Sequence, residues 1–163
     1  MTVAIVVGNP KPRSRTYQAA QLVAERLTGS PPDLAVDLVD LGAALLDWSD
    51  PGVAETVAAV QASELVVVAS PTYKATHTGL LKLFLDRFGA GSLAGVTAVP
   101  LMLGGDWRHS LAPEVFLKPV LAELGASTPT RGLFLLDSEW AESETLATWL
   151  EQARGQLAVR APR

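Results

Sequence analysis

Short apolar runs alternate along this chain with longer segments whose apolar residues recur at helical spacing. The runs Val3–Val7, Leu34–Leu38, Leu65–Ala69, Val96–Leu103 and Gly132–Leu136 are strand candidates. Helical patterns occupy the intervals 15–28, 52–63, 78–88, 110–124 and 143–158. The third run is apolar without a break, as a strand covered by helices on both faces must be. In the second, Leu34, Val36 and Leu38 alternate with Ala35, Asp37 and Val39, which suits an edge. Strict strand–helix alternation with right-handed crossovers predicts an α/β fold, a doubly wound five-stranded parallel sheet. Ser30-Pro31-Pro32 and Asp50-Pro51-Gly52 read as turns, so residues 1–163 are expected to form one domain.

Three positions strain this scheme. Pro119 lies inside the fourth helical pattern, where it removes a hydrogen bond and bends the axis. Pro100 sits within a central strand candidate and predicts a bulge or an irregular rim. Leu83, and the ring of Leu111, Val115, Phe116, Leu117, Val120, Leu121 and Leu124, make two helices apolar beyond one stripe. A surface helix is polar on one side, so these faces predict packing against another subunit.

In doubly wound sheets, ligands sit beyond the carboxyl ends of the strands, at the switch point beside the first strand. The first loop there is Gly8-Asn9-Pro10-Lys11-Pro12-Arg13-Ser14-Arg15-Thr16, just where a helical pattern begins. Helix N-termini carry unpaired N–H groups and a partial positive charge. Ser14 and Thr16 add hydroxyl donors, and Arg13 and Arg15 add charge-assisted ones, so a terminal phosphate is the predicted ligand. The second loop, Ser70-Pro71-Thr72-Tyr73-Lys74-Ala75-Thr76-His77-Thr78-Gly79, offers an aromatic surface at Tyr73 and exposed amides. The third, Gly104-Gly105-Asp106-Trp107-Arg108-His109, has paired glycines that permit close backbone approach to a planar ligand.

Composition narrows the chemistry. Of 163 residues, 48% are apolar and 18% charged, which excludes disorder and implies a substantial core. A net charge of −4 argues against general nucleic-acid or anionic-membrane binding. With no cysteine there is no disulfide, thiol nucleophile or Cys-based zinc site, and His77 and His109 do not form a metal-binding helix motif. No run approaches membrane-spanning length and no signal-peptide pattern is present, so a soluble cytoplasmic protein is expected. Gly89-Ala90-Gly91-Ser92-Leu93-Ala94 fits a dinucleotide fingerprint but follows a helix and precedes a strand, the reverse of the required context. The P-loop and nucleophile-elbow patterns are absent. Glu139, Glu142 and Glu144 read as helix N-terminal charge with Ser143 as a cap, and Asp37, Asp40, Asp47 and Asp50 as solvated surface carboxylates.

Gly8-x-Pro10-x-x-x-Ser14-x-Thr16 and Ser70-Pro71-Thr72-Tyr73-Lys74-Ala75-x-x-x-Gly79-x-Leu81-Lys82 resemble the NAD(P)H-dependent FMN reductase family. Within it the chain is most similar to the reductase components of two-component alkanesulfonate monooxygenase systems. Pro100-Leu101, Gly104-Gly105, His109 and Leu117-Lys118-Pro119-Val120-Leu121 extend the resemblance, which runs to about residue 137. It implies a flavodoxin-like fold with strand order 2-1-3-4-5 and a homodimer or homotetramer. It also implies a phosphate loop at Ser14, Arg15 and Thr16 with Asn9 at its start. Isoalloxazine contacts are implied at Pro71, Thr72, Tyr73, Lys74, Gly104, Gly105 and Asp106. Some sulfonate-linked relatives carry a tyrosine inserted into the fourth helix, where it makes a π-bulge; this chain has Val115-Phe116 there.

The implied activity is hydride transfer from NADH or NADPH to FMN, with oxygen, quinones, ferric chelates or a partner flavin-dependent monooxygenase as the acceptors left open. The chemistry is the cofactors' own, so no catalytic side chain is named. A quinone or azo reductase that retains FMN and a flavodoxin-type electron carrier are the alternatives. The Arg13 and Arg15 loop and the mild net charge speak against the carrier.

Overall fold

The computed structural model describes residues 1–158. The first apolar run forms β1 (Val3–Val7), buried along its whole length. It leads through the Gly8–Ser14 loop into α1 (Arg15–Thr28). β2 (Leu34–Asp37), α2 (Pro51–Gln61), β3 (Leu65–Pro71), α3 (Gly79–Leu85) and β4 (Thr97–Gly104) follow. A π-helical turn (Pro113–Leu117) then leads directly into α4 (Lys118–Glu123), before β5 (Leu133–Leu136) and α5 (Glu144–Ala158). The strands lie in the order β2-β1-β3-β4-β5 and every pairing is parallel, a flavodoxin-like sheet.

Side-chain alternation assigns the helices to the two faces. Val3, Ile5 and Val7 point to the layer of α1 and α5, where Ala20, Val23, Leu146 and Trp149 are buried. Ala4 and Val6 point to the opposite layer, packed with Val53, Phe84, Leu117 and Leu121. Small residues on α1, Ala19, Ala20 and Ala24, are wholly buried and let that helix lie close on the sheet. Asp50, Thr78 and Ser143 cap the following helices by accepting the N–H groups of Val53 (2.9 Å), Leu81 (3.1 Å) and Leu146 (3.1 Å).

Pro100 makes no bulge. Thr97 N–H points to the β3 side, toward Glu64 O, and Ala98 N–H to the other side, toward Ser127 O. The missing N–H of Pro100 therefore faces the β5 side, where the ladder begins only at the Leu101–Leu133 pair. One step short of that ladder, Arg131 O takes the Trp149 indole N–H instead (2.8 Å). The proline thus sits at a gap in the pairing, where no donor is required.

The fourth helical pattern is not one helix. Because Pro119 has no N–H to return to Val115 O, the ladder slips, and Lys118 N–H reaches back to Pro113 O. The wide turn forms without the tyrosine that some relatives insert there. Glu114 on this turn accepts from Gly132 N (2.6 Å) and from Lys118 Nζ (2.8 Å), which fixes the entry to β5. β3 and β4 run to Pro71 and Gly104, beyond the ends read from the sequence, while β2 stops at Asp37.

Gly8 continues the sheet by donating to Ala69 O (2.9 Å), and a Cβ there would press on the Leu81 side chain and backbone, 3.0 Å from its Cα. Gly8→Ala is expected to force α3 off the loop at a cost of about 1–3 kcal/mol. Urea unfolding measures this, and an unchanged midpoint would show that α3 yields freely.

Candidate functional site

The loop after β1 is shaped by its own side chains. Asn9 Oδ1 accepts Lys11 N–H (2.9 Å) and its Nδ2 donates to Thr16 Oγ1 (3.0 Å). Ser14 caps α1, accepting Tyr17 N–H at 3.2 Å. The first intrahelical bond runs from Gln18 N to Ser14 O (3.0 Å), so the N–H groups of Arg15 and Thr16 stand ahead of the ladder. Ser14 and Thr16 are only 4% and 1% exposed. With an oxygen lone pair used by Asn9, the Thr16 hydroxyl keeps its own hydrogen for donation.

Arg13 departs from its expected role. Its Nη1 pairs with Asp37 Oδ2 and its Nη2 with Asp40 Oδ2, both at 2.7 Å. The hydrogen bonds it donates to Asp40 and then to Asp37 raise the guanidinium pKa further. Arg13 also lies over the Tyr17 ring, 5.4 Å from its centroid. Its charge is therefore shared with two carboxylates at the end of β2. Arg15 Nη1 reaches Asp137 O (3.0 Å), which joins the first loop to the chain beyond β5. Asp37 is a correction in its own right: read as solvated, it is buried, with its side chain 1% exposed.

The second loop turns tightly. Pro71 is buried as the last residue of β3, paired with Leu103, and directs the exit of the loop without presenting a ring face. Thr72 N–H bonds Leu103 O (2.7 Å), and Tyr73 and Thr76 exchange backbone bonds of 2.9 and 3.2 Å. Between them Lys74 and Ala75 both have positive φ, 51° and 70°, as a two-residue primed turn demands. The turn leaves Tyr73 half exposed. Ser70 Oγ accepts Thr78 N–H (3.0 Å), and Thr78 Oγ1 donates to Gly8 O (2.6 Å), so the first two loops are tied together.

In the third loop, a Cβ on Gly104 would lie 2.8 Å from Phe134 and 3.2 Å from Thr72 Oγ1, whereas one on Gly105 would meet nothing within 4 Å. Asp106 caps the short turn Trp107–His109, accepting Arg108 N–H (2.8 Å) and pairing with its guanidinium (2.9 Å). The bond from the Arg108 N–H, then that from its guanidinium, lowers the Asp106 pKa, so the group serves as a cap and stays ionised. A hollow of about 420 Å³ beside Trp107, Phe134 and Trp149 runs along β5, and none of the phosphate-loop residues lines it.

A family model described as NADPH-dependent FMN reductase matches residues 1–141. The chain belongs to that family. The FMN reductase (NADPH) of Escherichia coli (strain K12) is 30% identical over 152 residues, 85% of this chain and 75% of that relative. The NADH-dependent FMN reductase SfnF of Pseudomonas putida is 31% identical over 140 residues, 81% of this chain and 75% of its own length. The solved apo form of an NADH:FMN oxidoreductase (EMOB) aligns with a TM-score of 0.86 at 30% identity, over 96% of this chain and 89% of that one. An oxidised flavodoxin from Bacillus cereus shares the fold, with a TM-score of 0.63 at 15% identity.

For a member of the FMN reductase family, the residues at this rim have the right chemistry. Two buried hydroxyls and two N–H groups ahead of a helix ladder suit a phosphate dianion. The open space at Gly105 and the exposed Tyr73 suit a flat ring system. Thr72 Oγ1 is buried with no partner beside Gly104, where a Cβ would crowd both it and the Phe134 ring. Of the residues read from the sequence, Ser14, Thr72, Tyr73, Lys74, Gly105 and Asp106 lie in the three loops at the carboxyl ends of β1, β3 and β4, while Arg15 and Thr16 open α1 and Gly104 ends β4. Asn9 and Pro71 shape loops from buried positions. The sequence reading missed Asp37; its signal was a lone carboxylate at the inner end of an alternating strand.

No structural reason requires a side chain at Ala75, whose φ of 70° disfavours one. Ala75→Gly is expected to relieve strain and raise stability by about 1 kcal/mol, visible as a higher midpoint in thermal unfolding. An unchanged or lower midpoint would mean that the turn relaxes in solution.

Proposed function

We propose that this protein reduces FMN with NADPH or NADH, reading the flavin phosphate through Ser14, Arg15 and Thr16. The observation that carries this reading is the set of buried hydroxyls and unbonded N–H groups at the start of α1. When both are bound, the nicotinamide supplies two electrons and the flavin accepts them. The chain's part is positional. Ser14 and Thr16 anchor one end of the ligand, Tyr73 offers a stacking surface, and the Gly104–Gly105 segment brings backbone close to the ring edge. Fixed dipoles there favour the negative charge that grows on reduction. No side-chain acid or base is needed.

Reduced flavin reacts readily with oxygen, so a flavin-dependent monooxygenase that takes it up directly is the partner we infer. The relatives include NADPH-dependent and NADH-dependent enzymes, and both nucleotides are proposed as donors. A cytoplasmic location follows from that donor pool, and no helix among the described residues is long and apolar enough to cross a membrane. Leu111, Val115 and Phe116 are exposed together on and before the π-turn, and a homodimer or homotetramer would cover them.

Mixing the protein with FMN and NADPH, then NADH, and following absorbance at 340 nm tests the activity; no oxidation of either nucleotide would overturn the reading. Thr16→Val keeps the side-chain shape but removes the hydroxyl. It is expected to weaken FMN binding about tenfold or more, with riboflavin binding nearly unchanged, because a hydrogen bond to a charged group contributes roughly 1.5–3 kcal/mol. Arg15→Ala should act in the same direction. Equal losses for both flavins in a fluorescence titration would refute the phosphate assignment.

Phe116, 45% exposed, tests the assembly. Phe116→Asp would place a charge in a subunit contact, so light scattering at micromolar concentration should show smaller particles than wild type. A monomeric wild type would end this part of the proposal.

A further inference from the structure

Arg13 is a residue with a side chain held at φ 48°, directly before the cap of α1. L-residues avoid that region, and a chain that needs it ordinarily uses glycine. Three contacts keep Arg13 there. Asp37 Oδ2 accepts both its backbone N–H (2.8 Å) and its Nη1 (2.7 Å), and Asp40 takes Nη2 (2.7 Å). Asp37 itself is fixed by the sheet, since it is the β2 residue paired with Val7, the last residue of β1. Its other oxygen, Oδ1, is buried with no partner.

A buried carboxylate with half of its acceptor capacity unmet is a poor choice for stability alone. It makes sense as a fixture. The contact to the Arg13 N–H sets the backbone one residue before Ser14, and so sets the direction of the N–H groups that follow. The contacts to the guanidinium turn its charge away from those N–H groups.

We infer that Asp37 is a positioning residue for the flavin phosphate: it holds Arg13 in the left-handed conformation that aims Ser14, Arg15 and Thr16 at the ligand. This rests on the phosphate reading given above. It adds that the specificity for FMN over riboflavin depends on a side chain that never touches the flavin.

The test is a fluorescence titration of FMN and of riboflavin against a set of variants. Asp37→Asn is expected to weaken FMN binding about tenfold and riboflavin binding less than twofold, the size of the left-handed penalty read as affinity. Adding Arg13→Gly to that variant should bring FMN affinity back to within about threefold of wild type, because glycine adopts positive φ unaided. No recovery, or equal loss for both flavins, would overturn the inference. If Asp37→Asn does not fold, Arg13→Gly and Arg13→Ala decide the matter at a half-exposed position. The alanine variant should bind FMN about tenfold more weakly than the glycine variant, and equal affinities would overturn the role. Ser14→Ala separates the two readings. If it leaves the FMN-to-riboflavin ratio unchanged, the phosphate assignment falls and the inference with it. If it lowers the ratio while Asp37→Asn does not, the positioning role alone falls.

Discussion

The start of α1 is the constraint from which the rest of this rim follows. A helix that begins at the carboxyl end of an inner strand presents N–H groups its own ladder cannot use. Here the first bond of that ladder is Gln18 to Ser14, and the N–H groups of Arg15 and Thr16 precede it. They need either water or an anion. The hydroxyls beside them are buried and already oriented, Ser14 by Tyr17 N–H and Thr16 by Asn9. These groups are therefore fixed by the fold itself, and an anion bound there would find little conformational freedom to remove.

That loop does not stand alone. Thr78 bonds Gly8 O, Thr72 bonds Leu103 O, Asp137 N–H bonds Gly104 O, and Arg15 bonds Asp137 O. Each connection thus has a bond to a neighbouring strand end or loop. Since the strands are held in parallel register, the loops are held in fixed relation as well. Gly8 matters here because its missing Cβ lets α3 lie against the first loop.

Local conformations that are costly in isolation gather at this end of the sheet. Arg13, Lys74 and Ala75 have positive φ, and each lies in a loop that follows an inner strand of the sheet. Such strain persists where surrounding contacts over-determine the backbone. For Arg13 those contacts are Asp37 and Asp40; for the Lys74–Ala75 turn they are the paired bonds of Tyr73 and Thr76. The π-turn before α4 has a different cause, the missing N–H of Pro119, and a different anchor, Glu114 on Gly132.

The order of elements, the parallel sheet and the loop positions were legible in the sequence because they depend on periodicity. Val3–Val7 and Leu65–Ala69 read as strands because unbroken apolar runs suit a doubly covered sheet, and the structure places them there. Ser14 was legible because a helix N-cap is a local feature. What periodicity does not carry is the partner of a charge or the direction of a missing donor. Arg13 read as a phosphate ligand, and only tertiary packing shows Asp37 beside it, 24 residues away in the chain. Pro100 read as a bulge or an irregular rim, and only the register shows which: its empty side faces a gap in the pairing between Ser127 and Leu133. Pro119 predicted a bend, but only the approach of Gly132 to Pro113 and Glu114 shows where the resulting turn is packed. Apolar spacing determines which elements form, because burial acts on each residue through its own side chain. Tertiary structure alone decides which polar groups meet, because hydrogen bonds need a partner at a set distance and angle.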